Sequence, residues 1–263
     1  MIAKPPVSPA TPTAPAPRTD PSVMSADVVE ARLGICEALR HSPIPPHELV
    51  RNLGLYVLPM ELKRWLFLTD LYQQIVNVPG IIVEFGCRWG QNLAVLQSLR
   101  GILEPFHHRR MIVGFDTFEG FPEVMEQDGH ADVVSPGAYD VTPGYQHYLE
   151  ELLAMRETQS PIPEVRKFRV IKGRAEEQFA TYLDEHPETI VAMAYFDMDL
   201  YQPTADCLRL LTGRLTQGSI VAFDELNHSA FPGETSAVRD VLGLETIALR
   251  RSPWSADESY YVV

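Results

Sequence analysis

The chain has 263 residues, of which 45% are hydrophobic and 22% charged, the composition of a folded globular domain. Its net charge of −13 disfavours a nucleic-acid-binding surface, because the phosphate backbone is also negative. No apolar run approaches the roughly 20 residues of a membrane span, the start lacks the apolar core of a signal peptide, and the three cysteines have no paired spacing. We therefore expect a cytoplasmic protein with free thiols at Cys36, Cys87 and Cys207, no nucleic-acid partner and no membrane association.

The N-terminal part divides into a tail and a helical segment. Residues 1–24 hold seven prolines among Ala, Thr and Ser, and this composition predicts a disordered tail. Two helices are predicted at Ser25–Leu39 and Met60–Val76, separated by a proline-rich stretch that excludes one continuous helix. We interpret residues 25–79 as an N-terminal helical cap on a core at 80–263, the two forming one domain. A helix packed on the sheet edge is the alternative.

The first strand and the turn after it have the pattern of a ligand-binding crossover. Residues 81–85 form an apolar run typical of a strand buried on both faces, and Asn92–Leu99 is predicted to be helical. Gly86 and Gly90 between them permit a sharp turn close to a ligand, at a helix start with free N–H groups. The spacing differs from the dinucleotide fingerprint. Glu84 repels phosphates and suits a cationic ligand such as the amino end of S-adenosylmethionine (SAM), although a tight connection without a ligand is the alternative.

The second strand also ends in an acid. Residues 111–116 form a buried strand that places Asp116 at its tip, where a carboxylate accepts hydrogen bonds from ribose hydroxyls or, alternatively, caps the next turn. The polar loop from Thr117 to about Pro143 is long enough to predict a functional role. His107–Arg110 precedes the strand, and we interpret it as a solvated surface turn at the opposite end of the sheet.

The remaining elements alternate between strand and helix. The predicted helices are Tyr145–Glu157, a helix ending at Asp184, Pro203 to about Leu215, and Thr235–Leu242. The predicted strands are Phe168–Lys172, a fourth within Ile190–Tyr201, a fifth within Ser219–His228, and two closing strands, Leu244–Leu249 and Ser259–Val263. This alternation predicts a doubly wound α/β sheet with helices on both faces, a fold in which SAM can bind beyond the strand ends. In such a fold the crossover Gly173-Arg174-Ala175 faces the adenine, although Arg174 is alternatively a surface charge.

Strands four and five each end in two acids. In this sheet order they neighbour strand one, so Asp197, Asp224 and Glu225 are expected to converge at one edge. Carboxylates this close repel one another unless a cation intervenes, and hard oxygen ligands select Mg²⁺, or alternatively Mn²⁺ or Ca²⁺. The alternative is that these acids cap the helices that follow them.

A SAM site next to a metal site predicts methyl transfer to a hydroxyl. A divalent ion lowers the pKa of neighbouring hydroxyls, and a base then removes the proton. Asp199 lies two residues beyond Asp197 on the same strand face, and we expect it to act as this base. His228 and His147 are the competing candidates.

Four motifs resemble the macrocin-type sugar O-methyltransferases, which are class I, SAM- and Mg²⁺-dependent enzymes of antibiotic biosynthesis. The resemblance implies the Rossmann-like class I SAM-methyltransferase fold, a seven-stranded, mostly parallel α/β sheet with helices on both faces. The motifs are Glu84-Phe85-Gly86-Cys87-Arg88-Trp89-Gly90, Asp116-Thr117-Phe118-Glu119-Gly120-Phe121-Pro122, Asp197-Met198-Asp199-Leu200-Tyr201 and Phe223-Asp224-Glu225. The resemblance spans roughly residues 55 to 245. Within the family the chain is most similar to TDP-rhamnose 3-O-methyltransferases of the calicheamicin type.

The resemblance implies a nucleotide-activated deoxysugar as substrate, with the 3-hydroxyl of TDP-rhamnose as acceptor, and a homo-oligomer that exchanges N-terminal helices. It implies metal ligation by Asp197, Asp224 and Glu225, with Asp199 as the base. The SAM contacts that it implies are Glu84, Gly86, Arg88, Asn92, Asp116, Phe118, Gly173, Arg174 and Ala175. Two motifs depart from the family, which usually has Asp-Gly-Asp at 197–199 and Asp-Asp at 224–225; the longer Glu225 puts its direct ligation in question.

Two other classes of function remain open from the sequence. Asp197-Met198-Asp199 also resembles the Asp-x-Asp motif of metal-dependent glycosyltransferases, which bind a nucleotide sugar through the ion. That hypothesis leaves Glu84, the Gly86 turn and Asp116 without a role. A non-catalytic subunit that only binds SAM is the third possibility.

Overall fold

The computed structural model describes residues 25–263, and the tail predicted at 1–24 lies outside them. The chain divides into two compact units, one ending at Leu62 and the other running from Lys63 to Val263. Within the described residues, no helix combines the length and the apolar character that a membrane span needs.

The first unit is helical. It contains α1 (Ala26–Arg40), α2 (Pro46–Leu49), a 3-10 segment (Val50–Leu55) and the start of α3 (Pro59–Ile75). Pro46 is the first residue of α2, a position where its missing N–H costs nothing. Neither α1, α2 nor the 3-10 segment contains a buried residue among those described. Several of their large apolar side chains are instead exposed, among them Val28, Leu33, Val50 and Leu55.

The second unit is built on a seven-stranded sheet with the order β3-β2-β1-β4-β5-β7-β6. Its strands are β1 (Ile81–Phe85), β2 (Ile112–Asp116), β3 (Phe168–Lys172), β4 (Val191–Phe196), β5 (Leu215–Phe223), β6 (Arg250–Arg251) and β7 (Ser259–Val262). Its helices after α3 are α4 (Gln91–Leu103), α5 (Tyr145–Glu157), α6 (Ala175–Glu185), α7 (Tyr201–Leu211) and α8 (Pro232–Val241). Strands β1 to β5 are parallel, and β7 is antiparallel to β5 and β6. The predicted fold is confirmed, including the adjacency of β1, β4 and β5.

Residue alternation along the strands divides the core between the two faces of the sheet. Ile82 of β1 packs with residues of α3, α4 and α5, whereas Val83 and Phe85 pack with residues of α6, α7 and α8. The Phe85 ring lies 4.9 Å from that of Phe196 and 5.0 Å from that of Phe179, measured between centroids. Because Glu84 alternates with these rings, it belongs to the α3 side of β1.

Two predicted elements differ from the structure near the C-terminal ends of helices. The strand predicted at Leu244–Leu249 is wrong: this segment is a turn, and β7 pairs with Arg250–Arg251 instead. Gly243, with φ +75°, and Thr246, whose hydroxyl donates to Gly243 O, hold the chain in that turn. Helix α7 ends at Leu211, before the predicted end near Leu215, since Leu215 already opens β5.

The interpretation of His107–Arg110 as a solvated turn is wrong for Arg110, which is fully buried. Its Nε and Nη2 each donate to one carboxylate oxygen of Glu104 at 2.9 Å, and Nη1 and Nη2 also donate to the carbonyls of Gly80 and Ile75. The Arg110 side chain therefore has a structural role: it links Glu104 to the backbone just before β1. Its charge pairing and hydrogen bonds offset the free-energy cost of desolvation.

A second buried network surrounds Glu157 at the end of α5. Both its oxygens accept from Arg100 Nη2 at 2.8 Å, and Lys167 Nζ lies 2.8 Å from Oε1. We expect Glu157→Gln to lower the free energy of unfolding by about 3–5 kcal/mol, because it leaves two buried cations without their counter-charge. Urea denaturation measures the loss. The matched control is Glu151→Gln on the exposed face of the same helix; an equal loss in both variants would contradict the prediction.

Candidate functional site

The ends of β1, β4 and β5 bring the predicted acids to one edge of the sheet. Phe196 pairs in register with Phe85 on one side and Phe223 on the other, so the residues that follow them lie next to each other. The N–H of Asp197 donates to Phe85 O at 2.9 Å, and that of Asp224 donates to Phe196 O at 3.0 Å. The backbone hydrogen bonding of the sheet thus continues through Asp197 and Asp224, and it fixes the positions of their Cα atoms.

Glu84 is a buried acid with one oxygen available to a ligand. Asn92 Nδ2 donates to its Oε1 at 2.9 Å, and Oε2 has no hydrogen-bond partner among the described residues. Burial first, and then repulsion from Asp197, raise the pKa of Glu84 well above its ordinary value. A cationic donor at this position would satisfy the unpaired oxygen and favour the charged carboxylate.

The two glycines of the first crossover are required by its geometry. Gly86 has φ +87°, and a Cβ added to it would lie 2.0 Å from the Asp197 carbonyl oxygen. Gly90 has φ +73° directly before α4, and an added Cβ would meet the side chain of Leu149. Only glycine lets the turn after β1 come this close to the backbone of the residue after β4.

Asp116 is held in one orientation by the backbone. The N–H of Arg88 donates to its Oδ2 at 2.7 Å, and the N–H of Phe118 donates to its Oδ1 at 2.6 Å. Burial raises the pKa of Asp116, and these two N–H bonds oppose the rise. Each oxygen keeps a second lone pair for another donor, which suits a ligand with two hydroxyls.

The third crossover lies beside Asp116. The N–H of Gly173 donates to the Asp116 carbonyl at 2.9 Å, and Ala175 is the buried first residue of α6. The Arg174 guanidinium is engaged with neighbouring acids: Nε lies 2.7 Å from Glu176, and Nη1 lies 3.6 Å from Glu123. In this arrangement its half-buried side chain is paired with the largely buried Glu176 and lies near the exposed Glu123.

Asp199 occupies an unusual backbone conformation. Its φ is +63°, and the N–H of Leu200 donates to Met198 O at 2.7 Å, which closes a three-residue turn around it. A positive φ is uncommon outside glycine, and strained residues of this kind cluster at functional sites. Asp199 is 2% exposed, and Gly233 of α8 packs against its carbonyl, where a Cβ would lie at 2.5 Å.

Asp128, which the sequence analysis missed, connects the long loop after β2 to the segment that follows Asp199. The N–H of Tyr201 donates to Asp128 Oδ1 at 2.6 Å, and that of Met125 donates to Oδ2 at 2.7 Å. The loop also contributes Tyr139, whose ring lies 5.0 Å from the Arg88 guanidinium. The loop therefore contacts both the first crossover and the turn that follows Asp199.

Arg64 of α3 is a second residue that the sequence analysis missed. Its Nη1 donates to Asp197 Oδ2 at 3.0 Å, and its Nη2 donates to Asp224 Oδ1. The hydroxyl of the buried Tyr195 donates to the same Asp224 oxygen at 3.1 Å. Burial by itself would lower the pKa of Arg64, but Asp224, Tyr195 and Asp197 together hold it well above its ordinary value. One guanidinium thus bridges the two strand-end aspartates.

Two further carboxyl groups, those of Glu225 and Glu234, lie close to these aspartates. Burial, followed by the charges of Asp199 and Asp224, raises the pKa of Glu225 to about 11. Glu234 in α8 is fully buried, accepts from the N–H of Met198 at 3.3 Å, and has its pKa raised for the same reasons. The Oε2 atom of each has no hydrogen-bond partner among the described residues.

In chemical type, these carboxylate oxygens are the ligands that a hard divalent cation prefers, and Glu225 Oε2 has no hydrogen-bond partner among the described residues; their present arrangement, however, does not form a metal site. Across residues 25–263, no three acidic, His or Cys side chains are grouped closely enough to hold a metal. Arg64 lies between two of the expected ligands, Asp197 and Asp224.

The two competing histidines lie in different surroundings. His228 Nδ1 accepts from the N–H of Ala230 at 3.3 Å, and its ring packs 5.4 Å from that of Phe231. His147 is exposed on α5. Neither has the buried, strained position of Asp199.

The raised pKa of Glu225 predicts how the metal-free protein responds to pH. A carboxyl with a raised folded-state pKa contributes stability in full below its unfolded value and loses it as pH rises towards the folded value. We expect the melting temperature to fall between about pH 5 and about pH 9, and Glu225→Gln to reduce this fall. Thermal melts across this range, with the exposed Glu164→Gln as control, measure it. Parallel pH profiles for wild type and Glu225→Gln would contradict the assignment.

Comparison with protein-family models gives no match, and comparison with curated protein sequences gives none either. Among solved structures, the calicheamicin methyltransferase CalS11 is 40% identical, with a TM-score of 0.89 over 91% of this chain and 93% of that one. An apo structure of CalS11, described as a TDP-rhamnose 3'-O-methyltransferase of calicheamicin biosynthesis, is 38% identical, with a TM-score of 0.80 over 91% and 95%. The O-methyltransferase NovP, at 21% identity and a TM-score of 0.56 over 76% and 79%, shares the fold.

The match to CalS11 covers nearly the full length of both chains. As the sequence motifs predicted, the chain belongs to the macrocin-type family of SAM-dependent sugar O-methyltransferases.

Proposed function

We propose that this protein methylates the 3-hydroxyl of TDP-rhamnose, or of a closely related nucleotide-activated deoxysugar, in antibiotic biosynthesis with Mg²⁺ as cofactor. The observation that carries the choice of acceptor is the 38% identity over 95% of CalS11, which is described as a TDP-rhamnose 3'-O-methyltransferase. The buried acids at the ends of β1, β4 and β5 supply the chemistry that such a reaction needs.

The proposed cofactor site consists of the first and second crossovers. The unpaired oxygen of Glu84 would accept from the ammonium group of SAM, and Asp116 would accept from the ribose hydroxyls. Gly86 allows the sulfonium to lie close to the backbone. The other proposed contacts are Arg88, Asn92, Phe118, Gly173, Arg174 and Ala175; among these, Arg174 would have to leave its glutamate partners.

The proposed reaction is an in-line displacement at the methyl carbon. SAM would supply the methyl group: the sugar hydroxyl oxygen would attack the methyl carbon as the carbon–sulfur bond breaks, and the electron pair of that bond would stay on the sulfur of the leaving S-adenosylhomocysteine (SAH). Asp199 takes the hydroxyl proton, and its turn holds the carboxylate in a fixed place for this transfer. Asp197, Asp224 and Glu225 would hold Mg²⁺, which lowers the pKa of hydroxyls bound next to it.

A mass-shift screen tests the proposed function directly. Purified protein is incubated with SAM, Mg²⁺ and a panel of TDP-deoxysugars, and mass spectrometry measures the gain of one methyl group. We expect TDP-rhamnose to be methylated, and loss of this activity after EDTA dialysis. Absence of any methylated product would contradict the proposal, and full activity after exhaustive EDTA dialysis would contradict its metal part.

Calorimetry separates this proposal from a metal-dependent glycosyltransferase. SAH is expected to bind without added nucleotide sugar, because the Glu84 and Asp116 positions are already formed. Binding heat from a nucleotide sugar, with none from SAH, would favour the glycosyltransferase.

We also propose that the protein is a cytoplasmic homo-oligomer in which the first unit makes contacts between subunits. The exposed Val28, Leu33, Val50 and Leu55 support this, because the described part of the first unit has no buried residue and would gain stability by covering apolar side chains. All three cysteines are free thiols, as expected in a reducing compartment. Size-exclusion chromatography with light scattering tests the assembly, and a monomeric mass would contradict it.

A further inference from the structure

We infer that Arg64 is an internal counter-ion that competes with the divalent cation for Asp197 and Asp224. In the structure its guanidinium lies between Asp197 and Asp224 and donates to both. Metal binding to these two carboxylates would require the Arg64 side chain to move away. This inference rests on the metal part of the proposed function. It adds that displacement of Arg64 limits the affinity of the site for the cation.

The hydrogen bonds of the guanidinium explain why the two cations compete. Arg64 Nη1 donates to Asp197 Oδ2 at 3.0 Å, and Nη2 donates to Asp224 Oδ1. Asp224 Oδ1 also accepts from the Tyr195 hydroxyl at 3.1 Å, so two donors already use both lone pairs of this oxygen. A metal ion that binds this atom must displace one of them. Arg64 is the donor that carries positive charge and that the ion would repel.

The burial of the partners shows which of them is able to move. The Asp197 and Asp224 side chains are 7% and 4% exposed, and their backbones are held by hydrogen bonds to Phe85 and Phe196. The Arg64 side chain is 23% exposed. A long, unbranched side chain that reaches solvent can change rotamer, whereas the aspartates are fixed at the strand ends.

The neighbouring carboxylates explain why a guanidinium is favourable at this position. Asp199, Glu225 and Glu234 are close enough to the two aspartates for their charges to act on one another. Without a metal ion, Arg64 places a positive charge next to this group and lowers the repulsion within it. A divalent cation would supply that charge instead, and the guanidinium would then be an unfavourable neighbour for it.

The test measures metal affinity directly. Wild type, Arg64→Gln and Lys63→Gln are each saturated with SAH and titrated with Mg²⁺ by calorimetry. Lys63 is the matched control because it carries the same charge on the adjacent residue of α3, and its contacts are with Ser255 and Asp257 instead. We expect Arg64→Gln to bind Mg²⁺ about tenfold more tightly than wild type, and Lys63→Gln to stay within about twofold. The melting temperature of Arg64→Gln should also be lower than that of wild type without metal, and rise more when Mg²⁺ is added.

Each outcome leads to a different conclusion. If wild type binds Mg²⁺ and Arg64→Gln binds it equally or more weakly, the competition is overturned while the proposed function stands. If neither binds Mg²⁺ although both bind SAH, the metal part of the proposed function fails, and this inference fails with it. Should Arg64→Gln not fold, Arg64→Lys replaces it, because lysine keeps the charge but cannot donate to both aspartates as a planar fork does; an affinity above wild type is again expected.

Discussion

Asp199→Asn is expected to lower kcat by about 10²–10⁴-fold, the range that positioned general acid–base catalysis contributes. Asparagine retains the size of the side chain and tolerates a positive φ, so the turn between Met198 and Leu200 should persist. What it loses is the ability to accept the hydroxyl proton. SAH affinity should therefore stay within about twofold of wild type, since an unchanged site keeps its binding free energy.

The matched control is Asp206→Asn, which makes the same chemical change on α7 at a residue that pairs with Arg209 outside the site. Single-turnover methyl transfer measures the chemical step, and calorimetry measures SAH binding. If Asp199→Asn keeps the wild-type rate while His228→Ala loses it, His228 is the base and the assignment to Asp199 is wrong.

Gly86→Ala is expected to cost about 2–5 kcal/mol in the free energy of unfolding, from backbone strain together with overpacking. The new Cβ would lie 2.0 Å from the Asp197 carbonyl oxygen and 3.2 Å from Met198 Cγ. Neither backbone segment can easily move away from the new Cβ, because Gly86 N–H donates to Phe115 O and Asp197 N–H donates to Phe85 O, both at 2.9 Å. The first crossover must therefore distort, and SAH binding should weaken by about tenfold or more, which corresponds to about 1.4 kcal/mol.

Gly101→Ala is the control, because Gly101 lies in the interior of α4 and an added Cβ would meet no described atom within 4 Å. That variant should gain about 0.5–1 kcal/mol from the lower backbone entropy of the unfolded chain. Urea denaturation and SAH calorimetry measure both variants. Equal stability and equal SAH affinity in Gly86→Ala and wild type would show that the close approach to Asp197 has no consequence.

The parts of the fold that the sequence predicted well are those with a local, strong signal. Buried parallel strands are continuous apolar runs, and an acid at the end of such a run is easy to recognise, as with Asp116, Asp197 and Asp224. The fold class rules then fix the order of the strands, and the order places the acids at one edge. This is why the strands and their acids were predicted together.

The residues that were missed have no distinguishing local pattern. Arg64 stands next to Lys63 in an amphipathic helix, and nothing in the spacing indicates which of the two cations points towards the acids. Asp128 lies in a polar loop, where an aspartate is ordinary. Glu234 follows a proline and a glycine at the start of α8, where an acid is expected as a partner of the helix dipole. Each role depends on contacts with residues distant in the chain.

The incorrect predictions have two origins, one tertiary and one local. Arg110 was grouped with His107, His108 and Arg109 as a charged surface run, but its pairing with Glu104 lets it be buried completely. The segment Leu244–Leu249 has residues suited to a strand, yet the turn at its start delays pairing until Arg250. For Arg110 tertiary contacts outweighed the local preference, whereas at 244–249 a local turn did so.

The hydrogen bonds of Asp128 affect how the sugar would bind. Both carboxylate oxygens hold backbone N–H groups, one of them 73 residues further along the chain at Tyr201. Conformational entropy that a free loop would lose on ligand binding has therefore already been lost on folding. Under the proposed function, an acceptor that binds beside Asp199 would meet an already ordered loop, and less of its binding free energy would be spent on ordering the protein.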